Sequence, residues 1–160
     1  MTRDAERTER ALQDPLVGGL PDAPGIITAL TLTPGLGTHL RGLADELLVN
    51  DHPGATITRA EREMLATATS AGNDCFYCMD SHGAYASELL SRAGADQPLE
   101  IVAGIKRGES DGVSDKMKAL LHIARTVASD PFALRNGDME SAQDAGATDG
   151  DLQLAVLIAS

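Results

Sequence analysis

The sequence contains no tryptophan and only four aromatic residues, two Phe and two Tyr. A core without large rings has to be filled by Leu, Ile, Val, Met and Ala. Three of the four aromatics, Phe76, Tyr77 and Tyr85, lie within eleven residues of Cys75. Cysteine is just as scarce, with Cys75 and Cys78 the only two. A single pair on one short stretch does not make the disulfide framework of a small secreted domain. In a reducing compartment such a pair is more often catalytic or metal-binding. Positive charge is also in short supply: 13 Lys and Arg face 24 Asp and Glu, a formal net charge of −11. That excess repels phosphate backbones and anionic lipid, which argues against nucleic acid and membrane surfaces as partners. No apolar run approaches the roughly 20 residues that span a bilayer. The opening MTRDAERTERALQD is charged where a secretory signal would be apolar. The cytoplasm is the expected compartment.

What is present reads as helix almost throughout, so the expected class is all-α. The 160 residues suit one domain. Residues 1–25 read as a lead-in arm and 26–160 as the helical domain. The first fourteen residues fit either a frayed helix or an arm, and 16–24 read as loop. Ile26 to Leu32 is apolar and ambiguous between helix and strand, and Thr33-Pro34 breaks it. Leu36, Leu40, Leu43, Leu47 and Leu48 follow helical spacing up to Val49. Thr58 and Glu61 form a capping-box pattern that starts a helix at Arg59. It should run to about Ala71 and close at Gly72 and Asn73. Asn73 and Asp74 offer N-caps for the next helix, from Cys75 to about Arg92. Shorter helices follow at 97–106 and 139–145. Between them Ser114 opens a segment whose apolar face is Met117, Leu120, Leu121, Ala124 and Val127. Thr148 caps a last helix with Leu152, Ala155, Val156 and Ala159 at helical spacing. The sequence stops at Ser160 inside that apolar run, so an oligomer with this helix near another subunit is expected.

The chemistry concentrates at one point. With Cys75 as the first helical residue, Cys75, Cys78 and His82 fall within an arc of roughly 60° on one face. Cys-x-x-Cys spacing brings two sulfurs to disulfide reach within one turn. Thiols in the first turn of a helix are favoured as thiolates by its free N–H groups and dipole. His82 can take the proton that must leave. Thiolate, resolving thiol and base are the minimal parts of a peroxide-reducing or disulfide-exchanging centre.

Other readings of these residues compete. Zinc wants four ligands at about 2.0 to 2.3 Å, and Cys75 and His82 are about 10.5 Å apart along a helix axis. Cys78 and His82 alone leave the shell unfinished, so no metal is expected. Covalent haem needs a histidine directly after the second cysteine, where this sequence has Met79. No cofactor is expected. The bland alternative is two buried cysteines acting as small apolar residues. Glu63 lies in a charged run with Arg59, Glu61 and Arg62 that also fits a solvated helix face. His39, His52 and His122 have no partner pattern, and His122 reads as a rim or interface residue.

Glu63, eleven residues, Cys75-x-x-Cys78 and then x-x-x-His82 together resemble the AhpD-like, alkylhydroperoxidase branch of the carboxymuconolactone decarboxylase family. The surrounding TITRAEREMLATATSAGNDCFYCMDSHGAYA and the preceding TLTPGLGTHLRGLADELLVN share the likeness, which covers 26–160. The resemblance implies an all-α fold assembled as a homo-oligomer, trimer or hexamer. It implies Cys78 as the thiol that attacks a hydroperoxide, Cys75 as the resolving thiol, and His82 with Glu63 as the proton relay. It also implies an external thiol reductant, such as a lipoyl or thioredoxin-like protein. Relatives of this kind commonly continue past the position of Ser160. The sequence departs from the pattern at one point: the second histidine between the cysteines is replaced by Phe76 and Tyr77. A phenol with an ordinary pKa of about 10 is a weak relay at neutral pH.

Overall fold

The computed structural model describes residues 18–20 and 25–160. The expectations for the first fourteen residues and for most of the 16–24 loop fall outside them. All regular structure among the described residues is helical: α1 (Ile26–Leu32), α2 (Pro34–Leu48), α3 (Arg59–Gly72), α4 (Phe76–Arg92), α5 (Pro98–Lys106), α6 (Asp115–Ser129), α7 (Asn136–Asp144) and α8 (Asp149–Ala159). A short 3-10 turn, Pro131–Ala133, which the sequence did not announce, lies between α6 and α7. No described helix is long and apolar enough to cross a membrane.

The chain divides into two compact units, residues 1–42 and 43–160. In the first, the ambiguous segment Ile26–Leu32 is helical, and Thr33 ends it before Pro34 starts α2. The leucine spacing of α2 marks a helix but not a buried stripe: Leu36 and Leu40 are exposed.

The second unit holds the core. Met117, Leu120, Leu121, Ile123 and Ala124 of α6 are buried among Met64, Leu65 and Ala68 of α3, Val102 and Ile105 of α5, Ala142 of α7, and Leu154, Ala155 and Ala159 of α8. The expected α6 face is correct except that Val127 is only partly buried. On α8 the buried residues are Asp151, Leu154, Ala155 and Ala159, whereas the expected Leu152 and Val156 are half-buried. An acidic residue sits in the buried stripe there, which a count of apolar positions cannot anticipate. Helix α3 buries ten of its fourteen residues, so it is a central element rather than an amphipathic surface helix.

Local signals set the helix starts. The Thr58 hydroxyl accepts from Glu61 N–H at 3.2 Å, and the Glu61 carboxylate accepts from Thr58 N–H at 2.7 Å, completing the capping box. Ser114 caps α6 through Met117 N–H, and Thr148 caps α8 through Asp151 N–H. The segment leading into α3 is clamped by the start of α8. Asp151 accepts from Thr56 N–H and hydroxyl and from Ile57 N–H, at 2.6, 2.7 and 2.9 Å. The Thr148 hydroxyl donates to Gly54 O at 2.7 Å. Gly150 packs so close that a Cβ there would lie 2.6 Å from Gly54 O.

The joint between α3 and α4 differs from expectation. Asn73 closes α3 as expected, but neither Asn73 nor Asp74 caps α4, and Asp74 joins the cap of α3. Asp74 has φ 51°, the left-handed conformation. Asp74 N–H donates to Ala71 O at 3.3 Å and Cys75 N–H to Ser70 O at 3.0 Å, the paired bonds of a Schellman C-cap. Cys75 is therefore the last member of one cap and the N-cap of the next helix, not the first residue of α4.

Candidate active site

Antiparallel helices α3 and α4, joined by that tight cap, form the most extensive helix pair of the unit and bring the candidate residues together. Cys75 and Cys78 are joined by a disulfide, with their Cα atoms 5.4 Å apart. Both cysteines are half-buried and neither belongs to the apolar core, so they do not act as small core residues. One turn beyond Cys78, the His82 ring Nδ1 meets Glu63 Oε2 at 2.8 Å. A ring that donates Nδ1–H to a carboxylate keeps Nε2 as the acceptor of its neutral form. The Glu63 side chain is 3% exposed and that of His82 27%. The solvated-face reading of Glu63 is thereby overturned.

Arg59 and Arg62 flank Glu63 on α3 with different tasks. Arg62 is buried, and its Nη1 donates to Asn50 O at 2.6 Å and Leu47 O at 3.3 Å, satisfying carbonyls at the end of α2. Burial lowers its pKa, against the pull of Asp51. Arg59 turns the other way, with Nε 3.9 Å from Glu63 Oε1. Its guanidinium lies 5.9 Å from the centroid of the Tyr85 ring. Neither residue stood out in the sequence beyond the charged run. The signal for Arg59 was its position four residues before Glu63 on one helix face.

Phe76 and Tyr77, the residues standing where the family pattern has a histidine, are 74% and 40% exposed, so neither fills the missing relay from a buried position. His52 bonds to Glu46 O, and His122 is exposed and reaches Asp138 at 3.3 Å. His39 is exposed. Among the described residues no group of three or more His, Cys, Asp or Glu side chains is placed to hold a metal. Two surface grooves of about 520 and 440 Å³ adjoin α4. Neither is lined by Cys75, Cys78 or His82, and the second takes in Arg59.

The same region carries the relationship to known proteins. The profile of the carboxymuconolactone decarboxylase family matches residues 43–126, just over half of the chain. No curated protein matches the sequence. An uncharacterized peroxidase-related protein from Ralstonia eutropha JMP134, described as an alkylhydroperoxidase AhpD core, has a similar structure with a TM-score of 0.70. It is 25% identical, over 99% of this chain and 77% of that one. An uncharacterized peroxidase-related protein from Silicibacter sp. TM1040 superposes with a TM-score of 0.72, over 93% of this chain and 82% of that one. At 20% identity it speaks for the fold alone. With the profile covering both helices of the candidate site and a helical fold of the AhpD-like kind, the chain belongs to the carboxymuconolactone decarboxylase family.

Proposed function

We propose that this protein is a thiol-dependent peroxidase that reduces alkyl hydroperoxides through Cys78, Cys75, His82 and Glu63. The observation that carries this reading is a buried carboxylate hydrogen-bonded to a half-buried imidazole, one helical turn from a disulfide. In the reduced enzyme the Glu63–His82 pair takes the Cys78 proton. The thiolate attacks the outer peroxide oxygen, an S–O bond forms, the O–O bond breaks, and the leaving alkoxide receives a proton from His82. Cys75 then attacks the Cys78 sulfenic acid; the S–S bond forms and hydroxide leaves, protonated by the Cys75 proton, as water. An external dithiol, on a lipoyl or thioredoxin-like protein, reduces the disulfide by two exchange steps and becomes a disulfide itself. The reading includes a homo-oligomer, trimer or hexamer, acting in the cytoplasm, with 26–160 as the working domain.

Peroxide consumption by the purified protein, assayed with dihydrolipoamide and with thioredoxin as reductants, tests it. Turnover should require Cys78 and stop in Cys78→Ser. Cys75→Ser should complete one oxidation and hold a sulfenic acid that a dimedone probe labels at Cys78. Labelling at Cys75 in Cys78→Ser instead would reverse the two thiol roles. Reduction of a protein disulfide without peroxide turnover would identify a dithiol carrier, and no labelling in either variant would identify a non-catalytic scaffold.

A further inference from the structure

Four side chains interlock across α3 and α4, and only two of them belong to the relay. Arg59 and Glu63 are four residues apart on α3, and His82 and Tyr85 are three apart on α4, so each pair shares one helix face. Glu63 meets His82 at 2.8 Å, and Arg59 lies over Tyr85 at 5.9 Å. The Arg59 Nε is buried and has no hydrogen-bond acceptor, and the carboxylate nearest to it in an ion pair is Glu63, at 3.9 Å. The guanidinium is thus held by an aromatic face on one side and by the relay carboxylate on the other.

We infer that Arg59, seated by Tyr85, is a positioning residue that keeps the Glu63–His82 pair in its proton-accepting form at neutral pH. The consequence for thiol chemistry rests on the peroxidase reading above. In that form the pair is a carboxylate with a neutral imidazole, and taking up a proton adds one positive charge. A fixed cation beside the carboxylate opposes that uptake, so it lowers the pH at which the pair as a whole gains its first proton. The sign holds whichever of the two groups carries the proton.

Among the described residues, the other cations around α3 and α4 have partners of their own. Helices α3 and α5 pack against α4. On α5, Lys106 lays its stem over Gly83 and bonds Asp80 at 2.6 Å. On α3, Arg62 is turned to the Leu47 and Asn50 carbonyls. On α4 itself, Asp80 is taken by Lys106 and Glu88 by Arg92, which leaves Cys78, Tyr77 and Tyr85. Helices α6 and α8 pack against α3, and there Lys116 bonds Thr56 beside Asp151, Lys118 bonds Asp115, His122 bonds Asp138 and Arg125 bonds Ser110 and Glu109 O. Arg59 is left as the cation paired with Glu63.

The test is an NMR titration of the His82 ring in the reduced, full-length protein. Arg59→Gln should raise the midpoint by about one pH unit. Arg59→Lys, which keeps the charge, should return it toward the wild-type value. The pH profile of Cys78 alkylation by iodoacetamide should move the opposite way in Arg59→Gln, to lower pH, because a more basic pair takes the thiol proton more readily and its imidazolium favours the thiolate. A midpoint that is unchanged or lower in folded Arg59→Gln overturns the inference. If that variant does not fold, Tyr85→Leu replaces it: freeing the guanidinium toward water should give a smaller upward shift, and no shift counts against the proposal. Because the titration does not read turnover, a protein without peroxidase activity would sink the proposed function and leave this result to be decided on its own.

Discussion

Asp151 and Glu63 are both buried carboxylates, 0% and 2% exposed, yet they are held in opposite ways. Asp151 accepts from the Thr56 hydroxyl and from the backbone N–H of Thr56, Ile57 and Thr148, with Lys116 Nζ 3.6 Å away. These donors are built into the chain, and at neutral pH none of them titrates away. Burial alone would push the Asp151 carboxyl up; the hydrogen bonds from Thr56, Thr148 and Ile57 outweigh it and hold the group well below the usual carboxylate range. Glu63 has one short hydrogen bond, and its donor is an imidazole that itself gains and loses a proton. A buried charge with a complete, fixed shell serves the fold, whereas one leaning on a titratable partner can do chemistry.

Breaking the two shells should separate activity from stability. The largest effect is expected at the relay. His82→Ala should slow peroxide reduction by roughly 10² to 10⁴, the range for loss of a positioned acid or base. Glu63→Gln should slow it less, and the double variant should be little worse than His82→Ala, because the two act as one unit. Stopped-flow peroxide kinetics read all three; additive losses would mean that the two groups act separately.

Asp151→Ala should leave per-molecule thiol reactivity near wild type and instead lower stability by about 3 kcal/mol, since it strands buried donors. Urea unfolding measures this. The pH dependence has a definite sign. The folded pKa is depressed, so the contribution of Asp151 is fully present above the unfolded aspartate value of about 3.9. It is lost as pH falls from there through the lower folded value. The difference between wild type and Asp151→Ala should hold at neutral pH and shrink in acid; a constant difference would show that packing, not charge, is what was removed.

The smallest effect is expected at the joint beside the site. Asp74→Gly relieves a left-handed conformation at a non-glycine residue and should change stability by less than about 1 kcal/mol, toward greater stability. A loss in thermal unfolding would mean that the Asp74 side chain contributes more than its backbone costs.

The same contrast explains what could be read from the sequence. Thr58, Ser114 and Thr148 announced their helices because a cap is settled within three or four residues. Glu63 and His82 are 19 residues apart, and only the motif spacing joined them. Asp151 reaches Thr56 across 95 residues, and nothing in an apolar periodicity marks such a partner. Asn73 was offered to both helices and Asp74 to α4 alone because the same small polar side chains suit an N-cap and a left-handed C-cap, and the close joint of α3 to α4 made both part of the C-cap. Arg59 stayed hidden in a charged run because its meaning depends on a ring from the neighbouring helix.

The position of the disulfide has one more consequence. It closes a ring of only four residues, so the restriction it places on the unfolded chain is worth about 2 kcal/mol, small beside what a long-loop bridge contributes. No core residue depends on it, since the buried cluster contains neither cysteine. Reducing the bond should therefore leave the buried cluster in place.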